Sequence, residues 1–303
     1  MFGVDDIPDL TGRVAVVTGA NGGLGLQTTR VLAAKGAHVV MAARNEGKTE
    51  RAVEEVRRET PQARLTTIRL DLGSLDSVRE AAEAIVDVAP RIDLLINNAG
   101  VMATPEGRTA DGFETQLGVD HLGHWALTAR LLPELVAAPA ARVVTVTSFA
   151  RFSGRPLDSS NPHLRGRYSA WPAYGQAKLA NYHFGLGLQG VFVRAGARAA
   201  SLIAHPGLSH TDLQPQTVRL GGAGQSAGFW AWSARVAGMP PERGAMPQLR
   251  AATDPGARGG ELYGPRFGTF GPAVRRPILR RNAAAIRTLW EVSERETGLA
   301  VGL

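Results

Sequence analysis

Tyr174 and Lys178 stand four residues apart in Tyr174-Gly175-Gln176-Ala177-Lys178. On a helix, positions i and i+4 lie on one face. An ammonium held beside a phenol favours the phenolate, so this spacing predicts a Tyr174 pKa below the ordinary value of about 10. A phenol tuned in that way gives and takes a proton near neutral pH. The other lysines are Lys35 and Lys48; the remaining basic charge is arginine.

A second group of residues is built for an anion. Thr18-Gly19-Ala20-Asn21-Gly22-Gly23-Leu24-Gly25 follows an apolar run and opens a stretch of helical period. Glycines there let the backbone turn sharply and approach a pyrophosphate, and the free amides with the helix dipole favour its charge. The second apolar run ends at Ala42-Ala43-Arg44, with no acidic residue at the tip to grip a ribose 2′-hydroxyl. A guanidinium at that place pairs with a 2′-phosphate, which favours NADP over NAD. Asp71-Leu72, at the end of the third run, is placed to contact an adenine ring.

These residues require elements to hold them, and the pattern supplies an alternation. Strands are expected at 13–18, 38–43, 65–70, 92–96, 142–147, 199–204 and 260–263. Helices are expected at 24–35, 46–59, 74–88, 111–136, 172–195 and 283–296. Residues 149–171 read as a loop and 211–246 as an irregular region with a helical patch around Phe229, Trp230 and Trp232. Alternating β and α segments imply a parallel sheet with helices on both faces. No repeat or linker divides the chain, so residues 1–303 read as a single α/β domain with a substrate lid near 208–246. The lid's aromatics suggest a bulky, apolar substrate.

Totals exclude several other classes. Hydrophobic residues make up 44% and charged residues 20%, as in a soluble globular protein. There is no cysteine, hence no disulfide and no thiolate metal site. No His, Asp and Glu set has ligand spacing, so no metal is expected. The net charge of +7 is spread over scattered arginines, densest at Arg275, Arg276, Arg280 and Arg281, without the basic helix and interleaved aromatics of a nucleic-acid binder. No apolar run is long enough for a membrane span and no secretory leader is seen, so a cytoplasmic location is expected. His121, His124 and His205 are expected to pack rather than react; His163 and His210 carry no readable signal.

Together the motifs resemble the short-chain dehydrogenase/reductase family over nearly the whole chain. Thr18-Gly19-x-x-x-Gly23-x-Gly25 resembles its cofactor loop and Asn97-Asn98-Ala99-Gly100 its Asn-Asn-Ala-Gly motif. Ser148 falls at its active serine, Tyr174 and Lys178 at its Tyr-x-x-x-Lys, and Pro206-Gly207 with Thr211 at positions that flank the nicotinamide. Asp120-His121-Leu122-Gly123-His124-Trp125 and Tyr174-Gly-Gln-Ala-Lys178-Leu-Ala-Asn181 resemble the retinol-dehydrogenase-like branch, and Leu289-Trp290-Glu291-Val292-Ser293-Glu294 its bacterial members.

The resemblance implies a Rossmann-like, doubly wound sheet of about seven strands. It also implies hydride transfer between NADP(H) and a small-molecule alcohol or carbonyl. Tyr174 would be the acid–base, Lys178 its tuner and a ribose ligand, Ser148 a donor to the substrate oxygen, and Asp120 a member of the proton relay. Cofactor contacts are expected from Gly19, Asn21, Gly22, Gly23, Leu24, Gly25, Arg44, Asp71, Leu72, Asn98, Ala99, Gly100, Tyr174, Lys178, Pro206, Gly207 and Thr211. Asp120 departs from the family, which has Asn there, and its charge would raise the pKa of nearby groups. A homo-oligomer through the paired long helices is a further implication. The rival reading is an NADP-binding sensor or scaffold without turnover. Photochemical tetrapyrrole reduction, known in related enzymes, uses a cysteine that this chain lacks.

Overall fold

The computed structural model describes residues 2–209, 238–279 and 281–303. Helices β-linked in alternation cover both faces of one eight-stranded sheet, ordered β3-β2-β1-β4-β5-β6-β7-β8. The strands are β1 (Val14–Thr18), β2 (His38–Ala43), β3 (Arg64–Arg69), β4 (Leu94–Asn97), β5 (Arg142–Val146), β6 (Ala200–Ala204), β7 (Leu262–Pro265) and β8 (Ala273–Arg276). The first seven run parallel; β8 returns antiparallel, pairing Leu262 with Arg276 and Pro265 with Ala273. Central strands such as β1 are near-continuous apolar runs because both faces are covered. β3, at the edge, alternates between half-buried and exposed residues.

Strand order reverses between β1 and β4, which leaves a crevice at their carboxyl ends. Around it stand α1 (Gly23–Ala34), α2 (Glu46–Glu59), α3 (Leu75–Val88) and α7 (Ala170–Arg194). α7 is buried on nearly every side from Ala173 to Leu186, as befits a helix at the centre of the layer. It is clipped to the end of β5 by polar bonds: the Thr147 hydroxyl donates to the Lys178 carbonyl at 2.6 Å, and Asn181 Nδ2 to the Val146 carbonyl at 3.2 Å.

The helix expected at 111–136 is interrupted. A short turn, α4 (Thr115–Leu117), passes into one wide turn over Gly118–Leu122, then α5 (Gly123–Arg130) and α6 (Leu132–Ala137). Pro133 at the start of α6 marks the second break. The region expected to be irregular holds α8 (Pro241–Thr253), so residues 241–246 are helical. Residues 210–237 of the expected lid, with Phe229, Trp230, Trp232 and Thr211, lie outside the described residues.

The last helix, α9 (Ala283–Thr297), begins on Asn282, whose side chain accepts the Ala285 amide, and stops at left-handed Gly298. It covers α5 and α7. The Trp290 ring meets Trp125 at 4.9 Å and Phe184 at 5.8 Å between centroids, and Ser293 Oγ bonds His121 Nε2 at 2.8 Å. Gly187 makes that approach feasible, since a Cβ there would collide with the Trp290 ring. Part of the surface of the paired long helices is thus covered by α9 within the chain.

Candidate active site

The glycine loop turns where expected. Gly19 has φ +66°, and a Cβ on Gly25 would strike the Gly19 carbonyl and come within 2.7 Å of Asn98 Nδ2. Asn98 fastens the loop's strand to the next: its amide donates to Thr18 Oγ1 at 2.9 Å and its side chain to the Thr18 carbonyl at 2.8 Å. Asn21 Nδ2 bonds the Asn45 carbonyl and Thr49 Oγ1, which ties the loop to the start of α2.

A cleft of about 1020 Å³ runs from this loop across the strand ends. Gly19, Asn21, Gly22, Gly23, Leu24 and Arg44 line one end, with Asp71, Leu72, Asn98, Ala99 and Gly100 behind them. Ser148, Tyr174, Lys178, Pro206 and Gly207 line the other. Gly25 supports the loop from inside rather than facing the cleft. Thr211 lies outside the described residues. Arg44 is 63% exposed and meets Asp71 Oδ2 at 3.8 Å, an ion pair weak enough to yield to a phosphate. A glycine loop with Arg44 at one end and the Ser148, Tyr174 and Lys178 side chains at the other fit a dinucleotide.

Sequence reasoning missed other walls of the cleft. Lys48, one turn into α2, was legible from its closeness to Arg44; Val101, Met102, Phe149, Phe152, Trp171, Leu208 and Thr269 carried no pattern of their own. Gln248 of α8 was invisible as well: its Nε2 reaches Thr28 Oγ1 at 2.6 Å and Asn98 Oδ1 at 3.2 Å, bracing α1 against the β4 tip.

At the reactive end, Lys178 Nζ lies 2.9 Å from Asp120 Oδ2 and 5.6 Å from the centre of the Tyr174 ring. Asp120 is fully buried in the wide turn, and its Oδ1 accepts the Val101 amide at 2.7 Å. Burial pushes the Asp120 carboxyl up while the ammonium and the amide pull it back. Burial pulls on Lys178 too, but the carboxylate and the phenol beside it raise it above the ordinary lysine value. Ser148 caps the turn Phe149–Phe152, accepting the Ala150 amide at 3.2 Å, and also bonds the Tyr174 hydroxyl.

One expectation is corrected here. Tyr174 is raised above the ordinary phenol value, not lowered. Burial is the largest cause and the Asp120 charge adds to it; the Lys178 ammonium and the Ser148 bond do not outweigh them.

His121, His124, His163 and His205 are held in packing and hydrogen bonds. Burial holds His124 neutral with a pKa of about 4. Its Nδ1 lies 3.0 Å from the Asp120 carbonyl, which can only accept, so Nδ1 carries the proton. Nε2 then accepts the Thr18 hydroxyl at 2.9 Å, leaving the Thr18 lone pairs to the Asn98 and Ala99 amides. Hydrogen bonds thus link the Asp120 backbone to the root of the glycine loop. His121 packs against Trp125 and Phe184, and His205 Nδ1 accepts the Gly207 amide. His163, unreadable in the sequence, accepts the Glu114 amide at 3.2 Å and meets Glu296 at 3.0 Å.

Comparison with known proteins is decisive about kinship. The family described as short chain dehydrogenase matches residues 13–217. The chain belongs to that family. This short-chain dehydrogenase is 40% identical over 209 residues to human retinol dehydrogenase 13, covering 69% of this chain and 62% of that one. It is 43% identical over 211 residues to mouse polyprenol dehydrogenase, covering 68% and 63% respectively. The chain thus spans somewhat less than two thirds of the length of these relatives. A crystal structure of a protein from Mycobacterium paratuberculosis superimposes with a TM-score of 0.81 at 39% identity, covering 100% of this chain and 99% of that one. No helix among the described residues is long and apolar enough to cross a membrane.

Proposed function

We propose that this short-chain dehydrogenase transfers a hydride between NADP(H) and a bulky, apolar alcohol or carbonyl compound, with residues 1–303 acting as one catalytic domain. The observation that carries the reading is a single cleft with a glycine loop and Arg44 at one end and Ser148, Tyr174 and Lys178 at the other, Lys178 held from behind by Asp120. The bound nicotinamide supplies the hydride chemistry. Tyr174 Oη holds the proton that the substrate oxygen gains in reduction and loses in oxidation. Ser148 Oγ donates to that oxygen and orients it. Lys178, anchored by Asp120, places a positive charge where the phenolate forms and offers its remaining protons to a ribose. Arg44 selects the 2′-phosphate. The bulky, apolar character of the substrate draws on Val101, Met102, Phe149, Phe152 and Trp171 around the reactive end, and on relatives named for retinol and polyprenol.

Two variants test the reading. Tyr174→Phe should lower kcat by at least about a thousandfold while NADPH still binds, as measured by fluorescence titration and by NADPH oxidation with a panel of apolar aldehydes and ketones. Wild-type protein that binds NADPH yet turns over none of the panel, in either direction, would support the sensor reading instead. Arg44→Ala should weaken NADPH about tenfold and leave NADH unchanged; equal losses for both cofactors would remove Arg44 from 2′-phosphate recognition.

A further inference from the structure

Two pairs of phenylalanines stand in the solvent at one rim of the cleft. Phe149 and Phe152, on the turn after Ser148, are 51% and 37% exposed with rings 5.0 Å apart. Phe267 and Phe270, on the turn between β7 and β8, are 62% and 54% exposed with rings 5.3 Å apart. The two turns adjoin: a Cβ on Gly268 would lie 3.9 Å from the Phe149 ring, and Thr269 lines the same cleft as Phe149 and Phe152. The Thr269 carbonyl accepts the Leu208 amide at 2.8 Å, which holds the hairpin tip at the mouth.

A contiguous apolar patch of this kind marks a contact surface rather than ordinary surface scatter. Residues 148–157 and 264–272, which carry the rings, contain three arginines and no Asp or Glu; Arg151 among them is buried. Arg275 is matched by Glu261 at 2.9 Å, whereas Arg155 and Arg266 stand exposed on the same two segments as the rings. Aromatic side chains that protrude among arginines suit the interfacial zone of a membrane, where rings enter the acyl boundary and guanidinium groups meet phosphates.

We propose that this rim docks on the surface of an anionic lipid bilayer, with the cleft mouth facing the lipid. The proposal is independent of the substrate assigned above, because binding is read without turnover. Co-sedimentation of the full chain with vesicles of phosphatidylcholine and phosphatidylglycerol in equal parts should show binding roughly tenfold tighter than to pure phosphatidylcholine. The double variant Phe267→Ser/Phe270→Ser, whose side chains lie outside the cleft, should lose about tenfold in vesicle binding with its urea midpoint and NADPH affinity unchanged. Arg266→Glu should weaken binding to the anionic vesicles alone, and it decides the question if the double variant does not fold. The proposal is overturned if wild type binds neither vesicle, binds both equally, or binds as well after these substitutions. It is overturned too if wild type self-associates through Phe267 and Phe270 without lipid, which would make a second copy the occupant.

Discussion

Asp120 stands where the family resemblance implies Asn, and the geometry says what a carboxylate does there. Its carboxylate sits 2.9 Å from the Lys178 ammonium and contributes to the raised pKa of Tyr174. An amide in its place would still accept the Val101 amide but would remove a negative charge from beside a phenolate. Asp120→Asn should therefore shift the Tyr174-dependent limb of the pH–rate profile to lower pH, by about one unit, with kcat kept within about tenfold. A limb that stays in place, or moves to higher pH, would show that the carboxylate does not act on the phenol. The sequence made the cluster legible, since Tyr174, Lys178 and Ser148 line one end of one cleft and Asp120 pairs with Lys178 behind it. It misled on the sign of the phenol's shift because burial is a tertiary quantity: four residues of spacing reveal the ammonium and conceal the missing water.

Among the elements, the central strands and glycine loop could be read directly, because apolar runs ending in Gly or Asn have few other uses. β8 escaped notice. Ala273–Arg276 is short, lies at the sheet edge between Pro272 and Pro277, and half of it is arginine, so nothing in it has strand character until β7 is there to pair with. The wide turn at Gly118–Leu122 was hidden for the opposite reason: its residues look like ordinary helix. α9 was foreseen as a helix but not as a cover. Its anchor is Trp290, wedged between Trp125 and Phe184 with Nε1 bonded to the Val301 carbonyl at 3.2 Å. Trp290→Ala should cost about 3 kcal/mol of stability by urea unfolding and, by uncovering α5 and α7, should make the protein self-associate in sedimentation. A stable, unchanged monomer after that substitution would mean α9 contributes little to the closure of this face.

Across the whole molecule, buried titratable groups set the response to acid. Burial holds His121, His124 and His205 neutral, at pKa values of about 3, 4 and 3. The unfolded chain takes up protons at these imidazoles below about pH 6.5 while the folded chain does not, so folding loses about 1.4 kcal/mol per imidazole and pH unit. Glu114 works in the other direction. Burial outweighs its bonds to the Gln116 and Leu117 amides and raises its pKa to about 7, so its contribution is full below the unfolded value and lost as pH rises through 7. Three groups oppose one. Stability by urea unfolding should fall by roughly 3 kcal/mol from pH 7 to pH 5, and Glu114→Gln should make the fall steeper. A flat profile would mean that these imidazoles gain protons in the folded state.

The cover over α5 has a consequence for biogenesis. Trp125 Nε1 finds its acceptor on Leu299, 174 residues further along the chain. Synthesis must therefore pass Leu299 before the Trp125 indole has its partner. Until then the aromatic face that α9 covers is open to water and to other nascent chains.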